Sequence, residues 1–368
     1  MKILILANSC QGLYNFRQEL IEELVKKGSV CAYTPINGSA EELEKRGCVV
    51  HDLPIDRRGI NAVKDLKLLC KIFMVLIKEK PDLVITYTIK PNIYGGFACR
   101  LTHIPYAVNI TGLGTAFQKK GLLRTIVTQM YKSGLKEVKV VFFENEENRQ
   151  VFIDERIVLK DKTCLLMGAG VNLDRYQLAD YPGGETIRFL FMGRVMKEKG
   201  INELFEAMHR LHMEGLNCSL NVLGEFEENY KDAIAKYEAE GWLNYYGHQN
   251  DVRPFIANCH CFVLPSWHEG MANTNLESAA SGRPVITSNI HGCLEAVEDG
   301  VSGFLCEKQN AEDLYQVMKR FIELPYEERK NMGLAGRKRM EKVFDKKEVV
   351  ERTMRTLDIN DSDCVGVC

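Results

Sequence analysis

The feature that most restricts this chain is a pattern that runs twice: short apolar run, loop, amphipathic stretch, repeated. Residues 2–7, 30–34, 83–87, 105–110 and 138–143 are continuous apolar runs. Strands buried on both faces of a parallel sheet look like this, because neither face needs polar side chains. Between them, apolar residues at helical spacing (Phe16, Leu20, Ile21, Leu24) follow a loop at 8–14 and end at Gly28. Further helices are expected at 40–46, 62–80 (closed by Pro81) and about 120–136. The breaker cluster Tyr181-Pro182-Gly183-Gly184-Glu185 interrupts the pattern, which then restarts. Strands are expected at 187–193, 219–223, 243–246, 261–265 and 284–287, with helices at 201–211, up to 240, 252–258 and 274–281.

Alternation of this kind implies an α/β chain of two doubly wound, Rossmann-like domains facing a central cleft. Its 368 residues agree with two cores at ~150 residues per domain. The expected boundaries are 1–180 for the first domain and 185–344 for the second. A terminal helix at 345–357 should pack back toward the first domain, and 358–368 is a polar tail. The thirteen cysteines include no Cys-x2-Cys pair, so they are expected to be buried thiols of a reducing cytosol rather than disulfides or zinc ligands. The chain is expected to open on a strand rather than a signal peptide, and no apolar run approaches the ~20 residues of a membrane span.

Two constellations can carry chemistry. One is Ser266-Trp267-His268-Glu269-Gly270-Met271-Ala272-Asn273-Thr274-Asn275-Leu276-Glu277, which leaves a buried strand and opens a helix near Thr274. Helix amides there would attract an anion, with Asn273, Thr274 or Asn275 as cap. Glu277 is expected in the first helical turn, so two carboxylates could touch two ends of one ligand. The plainer alternative makes Glu277 a dipole-complementing acid and Glu269 a solvated loop residue. The other constellation is Gly193-Arg194-Val195-Met196-Lys197-Glu198-Lys199-Gly200, where two cations bracket a turn in a manner suited to a diphosphate.

In order and spacing these segments resemble the retaining, nucleotide-sugar-dependent GT-B glycosyltransferases, in the large bacterial family that assembles capsular and O-antigen polysaccharides. The resemblance spans residues 1–355 and includes Gly282-Arg283-Pro284-Val285-Ile286. It implies that Arg194 and Lys199 clamp the donor diphosphate beside Gly193. Glu277 would bind the ribose, and Glu269 with Gly270 would lie beside the transferred sugar. The amides of Asn273, Thr274 and Asn275 would face the phosphates or sugar, and Gly12 would closely approach the diphosphate or acceptor. Many relatives have adjacent glycines where this chain has Cys10-Gln11-Gly12, and a histidine where it has Lys90; Lys90 and His268 are therefore secondary candidates. Loops around Gly224 and 249–252 are the expected base-recognition region. A UDP-sugar would be the substrate, with no cofactor and no metal; Asp361-Ser362-Asp363 lies in the tail.

The formal charge of −2 hides a polarity: residues 1–180 carry a net +6 and 181–368 a net −8. Residues 57–139 hold 15 Lys and Arg against four acids. Lys120, Arg124, Lys132 and Lys136 form a helical stripe opposite Leu123, Ile126, Val127, Met130 and Tyr131. This basic region suits an anionic membrane surface on the cytoplasmic side, and the family resemblance implies an acceptor carried on undecaprenyl diphosphate. No aromatic-interleaved basic module points to nucleic acid. Three rival functions remain: a GT-B epimerase, a non-catalytic nucleotide-sugar sensor, and an NAD-dependent dehydrogenase. The last would use Thr111-Gly112-Leu113-Gly114, but position 117 is Phe where the fingerprint needs a third glycine.

Overall fold

In the computed structural model, residues 1–36, 38–56, 61–114, 117 and 121–359 are described. The first of two compact units comprises Met1–Ala169 and Lys347–Cys368. Its strands are β1 (Lys2–Leu6), β2 (Ser29–Thr34), β3 (Cys48–Asp52), β4 (Leu83–Tyr87), β5 (Tyr106–Ile110), β6 (Val140–Phe143) and β7 (Thr163–Leu165). They pair in parallel in the order β3-β2-β1-β4-β5-β6-β7. The order reverses between β1 and β4. At such a switch point the flanking connections leave toward opposite faces and open a crevice at the strands' carboxyl ends.

The second unit, Gly170–Lys346, repeats the scheme. Its strands are β8 (Ile187–Met192), β9 (Cys218–Leu223), β10 (Leu243–Gly247), β11 (Cys261–Leu264), β12 (Val285–Ser288) and β13 (Gly303–Cys306). They run parallel in the order β10-β9-β8-β11-β12-β13, with the reversal between β8 and β11. Phe189, Leu190, Phe191, Phe262 and Val263 in these central strands are wholly buried, as continuous apolar runs require.

Two boundaries differ from expectation. The first helix is Cys10–Val25 rather than starting at 16, because the Ser9 hydroxyl accepts from Gly12 N–H at 3.1 Å and caps it. Gly12 therefore stands in a helical turn, not in a loop. The units divide after Ala169, not at the breaker cluster at 181–185. The cause is local: Tyr181 is buried, donates to His260 O at 2.9 Å and packs on Tyr326. Arg283, wholly buried, donates to the carbonyls of Ala179, Asp180, Ile256, Ala257 and Gly282. A buried guanidinium needs those acceptors, so the segment before the breakers is part of the second core.

The helix Lys346–Thr356 belongs with the first unit. Val349, Met354, Leu357 and Ile359 join Ile3, Ile5, Ile21 and Phe142 in one cluster. Lys139 Nζ donates to Leu357 O at 2.9 Å and lies 2.9 Å from Asp358, so Asp358 and Ile359 are docked rather than part of a free tail. Asp361-Ser362-Asp363 falls outside the described residues. Among those described, no helix is long and apolar enough to cross a membrane.

Candidate active site

Both constellations sit beside the switch point of the second sheet. Gly193 follows β8 and Pro265 follows β11, so the two loops leave adjacent strands at the same end. They are bound together by close packing. Lys197–Lys199 forms a 3-10 turn ending at Gly200, whose φ is +73°. A Cβ there would lie 2.0 Å from Pro265 O, so only glycine lets the turn rest on the end of β11. Trp267 N–H then donates to Glu198 O at 3.0 Å, and Trp267 Nε1 to Glu203 at 3.1 Å.

This packing forms the chemical centre. Lys199 Nζ makes an ion pair with Glu269 Oε1, and Ser266 Oγ donates to the same oxygen at 2.6 Å. Their side chains are only 20% and 12% exposed for Lys199 and Glu269. Burial pushes the Glu269 carboxyl up, but Lys199's charge and the two hydrogen bonds outweigh it and hold the group below the usual carboxylate range. The Glu269–Gly270 backbone is backed by Gly292, where a Cβ would stand 2.7 Å from Glu269 O; Ala272 N–H donates to Gly292 O at 2.7 Å. Arg194, nearly half-exposed, lies 3.3 Å from Glu227, and His268 Nε2 lies 3.6 Å from Glu198.

Glu277 has the opposite electrostatics. It lies beyond the first turn of the helix Asn273–Ala280, correcting the expected placement. Burial raises its carboxyl to about 7, only partly offset by a hydrogen bond with Tyr176 and by the charges of Lys346 and Arg175. One carboxylate is thus held charged and the other poised near neutrality. The expected caps also differ: Ala272 occupies the cap position and no side chain caps the helix. Asn275 is wholly buried, donating its side-chain amide to Thr287 Oγ1 at 3.0 Å and its backbone N–H to Ala272 O. It braces the helix against β12, which removes it from the residues that can face a ligand; Asn273 and Thr274 remain half-buried at the helix start.

In the first unit, Gly12 and Lys90 flank the β1/β4 switch point from the carboxyl ends of those strands. Lys90 Nζ donates to Asp65 at 2.8 Å. Nearby, Arg17 and Glu144 form a buried ion pair beside Tyr87, with the guanidinium 5.1 Å from the ring. Of the expected basic stripe, Lys120 lies outside the described residues. Arg124 is held by Glu155 at 2.8 Å, and Lys132 is half-buried. On the same helix, Leu122–Gly134, the expected apolar face divides: Leu123 and Ile126 are exposed, whereas Tyr131 is buried in the core with Val127 and Met130 packed against it. Glycines 112 and 114 follow β5, the next α-helix among the described residues begins at Leu122, and Phe117 stands where the dinucleotide fingerprint needs its third glycine.

Sequence reasoning assigned no role to Ser266, Tyr176 or the Arg17–Glu144 pair. Ser266 had a signal, three residues before Glu269 in one loop. Tyr176 had none, since only the fold brings it to Glu277. Among the described residues, no group of three or more His, Cys, Asp or Glu is placed to hold a metal ion.

The pattern described as Glycosyl transferases group 1 matches residues 182–339, and that described as Glycosyl transferase 4-like matches 2–145. Together the two patterns span most of the chain and mark it as a glycosyltransferase. This glycosyltransferase is 25% identical to an N,N'-diacetylbacillosaminyl-diphospho-undecaprenol alpha-1,3-N-acetylgalactosaminyltransferase of Campylobacter jejuni, over 97% of the chain and 98% of the relative. It is 28% identical to a capsular polysaccharide biosynthesis glycosyltransferase of Staphylococcus aureus, over 82% and 83%. Identity is 27% to the UDP-Gal:alpha-D-GlcNAc-diphosphoundecaprenol alpha-1,3-galactosyltransferase of Escherichia coli, over 72% of each. The GT-B fold is shared with Anabaena Alr3699/HepE, solved with UDP and glucose, at TM-score 0.81 and 16% identity over 97% and 99% of the two chains.

Proposed function

We propose that this glycosyltransferase moves galactose, N-acetylgalactosamine or a similar hexose from a UDP-sugar to an undecaprenyl-diphosphate-linked saccharide, retaining the anomeric configuration without a metal. The observation that carries this is the Lys199–Glu269–Ser266 cluster at the β8/β11 switch point, with Arg194 on the adjoining strand end. The relatives above that act on undecaprenyl-diphosphate sugars supply the substrate class.

Cleaving a sugar–phosphate bond builds positive charge on the sugar and negative charge on the departing diphosphate. Lys199 and Arg194 offset the second. Arg194 can leave Glu227 cheaply, because exposed ion pairs contribute only ~0–1 kcal/mol. The amides at the start of the Asn273–Ala280 helix add a positive dipole end. Glu269, kept ionised, lies beside the sugar and accepts its hydroxyls. Glu277 accepts from the ribose. The acceptor hydroxyl attacks from the face the diphosphate leaves and passes its proton to a departing phosphate oxygen. The basic region 57–139 brings the protein to the cytoplasmic face of the membrane.

The test is a panel of UDP-Gal, UDP-GalNAc, UDP-Glc and UDP-GlcNAc with a lipid-diphosphate-sugar acceptor, in chelator, with the product's anomeric configuration read by NMR. Acceptor-dependent UDP release with an α product from an α donor is expected. Epimer interconversion without acceptor would overturn the transfer reading. Inversion, or activity lost to chelator, would overturn the mechanism.

A further inference from the structure

One face of the second sheet breaks the rule that strands of a parallel sheet are apolar on both sides. In β9, Cys218, Leu220 and Val222 are buried on one face, whereas Ser219 and Asn221 on the other are half-buried. Arg188 of β8 stands beside Ser219 in the register and Asn244 of β10 beside Asn221, so four polar side chains share that face. With Tyr246 and Phe255 they line a pocket of about 410 Å³, a volume usual for small-ligand sites. Arg188 lies five residues before Gly193 along the same strand, roughly 16 Å from the donor loops at ~3.3 Å per residue.

Most hydrogen-bonding groups of this pocket lack a partner among the described residues. Arg188 Nε donates to Asn258 O at 2.7 Å, which fixes the guanidinium, yet among those residues Arg188 makes no ion pair. Asn244 Nδ2 donates to Asn221 Oδ1 at 3.2 Å, leaving Asn244 Oδ1, Asn221 Nδ2 and the Ser219 hydroxyl open. At the rim Tyr246, 43% exposed, meets Phe255 edge to face at 4.9 Å.

These groups define a ligand. Amides and a hydroxyl both donate and accept, which matches the vicinal hydroxyls of a sugar. Exposed aromatic rings offer apolar faces to the C–H side of a sugar ring. One unpaired guanidinium calls for one carboxylate, held bidentately. Residues 181–368 carry a net −8, which disfavours a polyanion such as a nucleic acid or an acidic bilayer. We propose that the pocket is a saccharide site, separate from the donor site, that takes a sugar unit carrying a carboxylate. β10 is the edge of its sheet, but a chain pairing with that edge would use backbone groups and leave Arg188 and Ser219 unmet. Binding here requires no transfer, so this proposal and the proposed reaction fail separately.

The test is saturation-transfer NMR on the full chain with methyl glucuronide and its neutral counterpart methyl glucoside, each in saturating UDP. The glucuronide should bind with UDP present, and the glucoside several-fold more weakly. Arg188→Gln should weaken the glucuronide by about tenfold or more, the loss expected for a charge-assisted pair. Asn244→Asp sets an acid beside the guanidinium without changing size and should do the same; it decides alone should Arg188→Gln not fold. Folded variants should keep the parent's UDP affinity in calorimetry. Absence of binding, equal binding of the two glycosides, displacement by UDP, or binding unchanged in both variants would each overturn the proposal. Self-association in ultracentrifugation that Asn244→Asp abolishes would overturn it in favour of a second copy of the chain.

Discussion

At the scale of single residues, the candidate site depends on how two carboxylates are held. Lys199 both neutralises Glu269 and is the cation nearest to it, so removing it leaves a largely buried acid uncompensated. Lys199→Ala should lower kcat/KM for the UDP-sugar by ~10²–10³, the range seen when one preorganised charge-stabilising group is lost. Lys199→Arg, keeping the charge, should recover part of that loss, and steady-state UDP release measures both. Glu277 makes a prediction in pH. Its carboxyl, raised to about 7 by burial, is protonated below that value and ionised above it. Only the ionised form accepts from two ribose hydroxyls. UDP affinity should therefore rise as pH increases through 7 and weaken toward tenfold per unit below it. Glu277→Gln should flatten that step, leaving only the titration of UDP's own phosphate, and calorimetric titration at several pH values checks both. The two motifs that hold Lys199 and Glu269 were legible in the sequence; that their side chains pair was not, because it depends on β8 and β11 lying side by side. The neutral poise of Glu277 was not legible either, because it arises from burial in the folded unit, only partly offset by Tyr176, Lys346 and Arg175, and no sequence spacing encodes that burial.

Elements show why some of the fold could be read directly and some could not. Central strands such as β4 and β11 are buried on both faces, and their uninterrupted apolar runs coincide with the observed strands to within a residue. Edge strands lose that signal. In β3 the burial alternates and Val49 is 54% exposed; β7 is three half-buried residues. Neither was visible as an apolar run, nor was β13, which begins at a glycine. The first helix starts early because its cap, Ser9, precedes a glycine in the opening turn, a residue that ordinarily argues for a loop. Glycine also carries the element-scale prediction. Gly200→Ala must accept a positive φ and a Cβ pressed on Pro265 O, each a real cost. Together they should destabilise the second unit by ~2–4 kcal/mol, from a strained backbone of 1–3 kcal/mol plus the displacement needed to relieve the contact. Because that displacement separates the Lys199 turn from Glu269, activity should fall more than stability accounts for. Calorimetric Tm alongside UDP release at a temperature where the variant remains folded separates the two effects.

For the whole molecule, the opposite charges of the two halves set how activity should respond to salt. Residues 1–180 carry a net +6, and on the 62–79 helix the outward charge is lysine while the acids face inward. Attraction between that surface and anionic lipid acts over a Debye length, about 10 Å at 0.1 M salt and about 3 Å at 1 M. Lys199 and Glu269 are mostly buried, and close buried charges are screened far less. Raising salt from about 0.05 M to about 0.5 M should therefore reduce turnover of a vesicle-borne acceptor several-fold. Turnover of a short-chain, water-soluble acceptor should change by less than about twofold, because it needs only the screened-off donor site. The residual vesicle activity at high salt reports the part of attachment that charge does not supply. Equal salt sensitivity with both acceptors would instead place the effect at the donor diphosphate, and the polarity of the chain would then have no bearing on where the enzyme works.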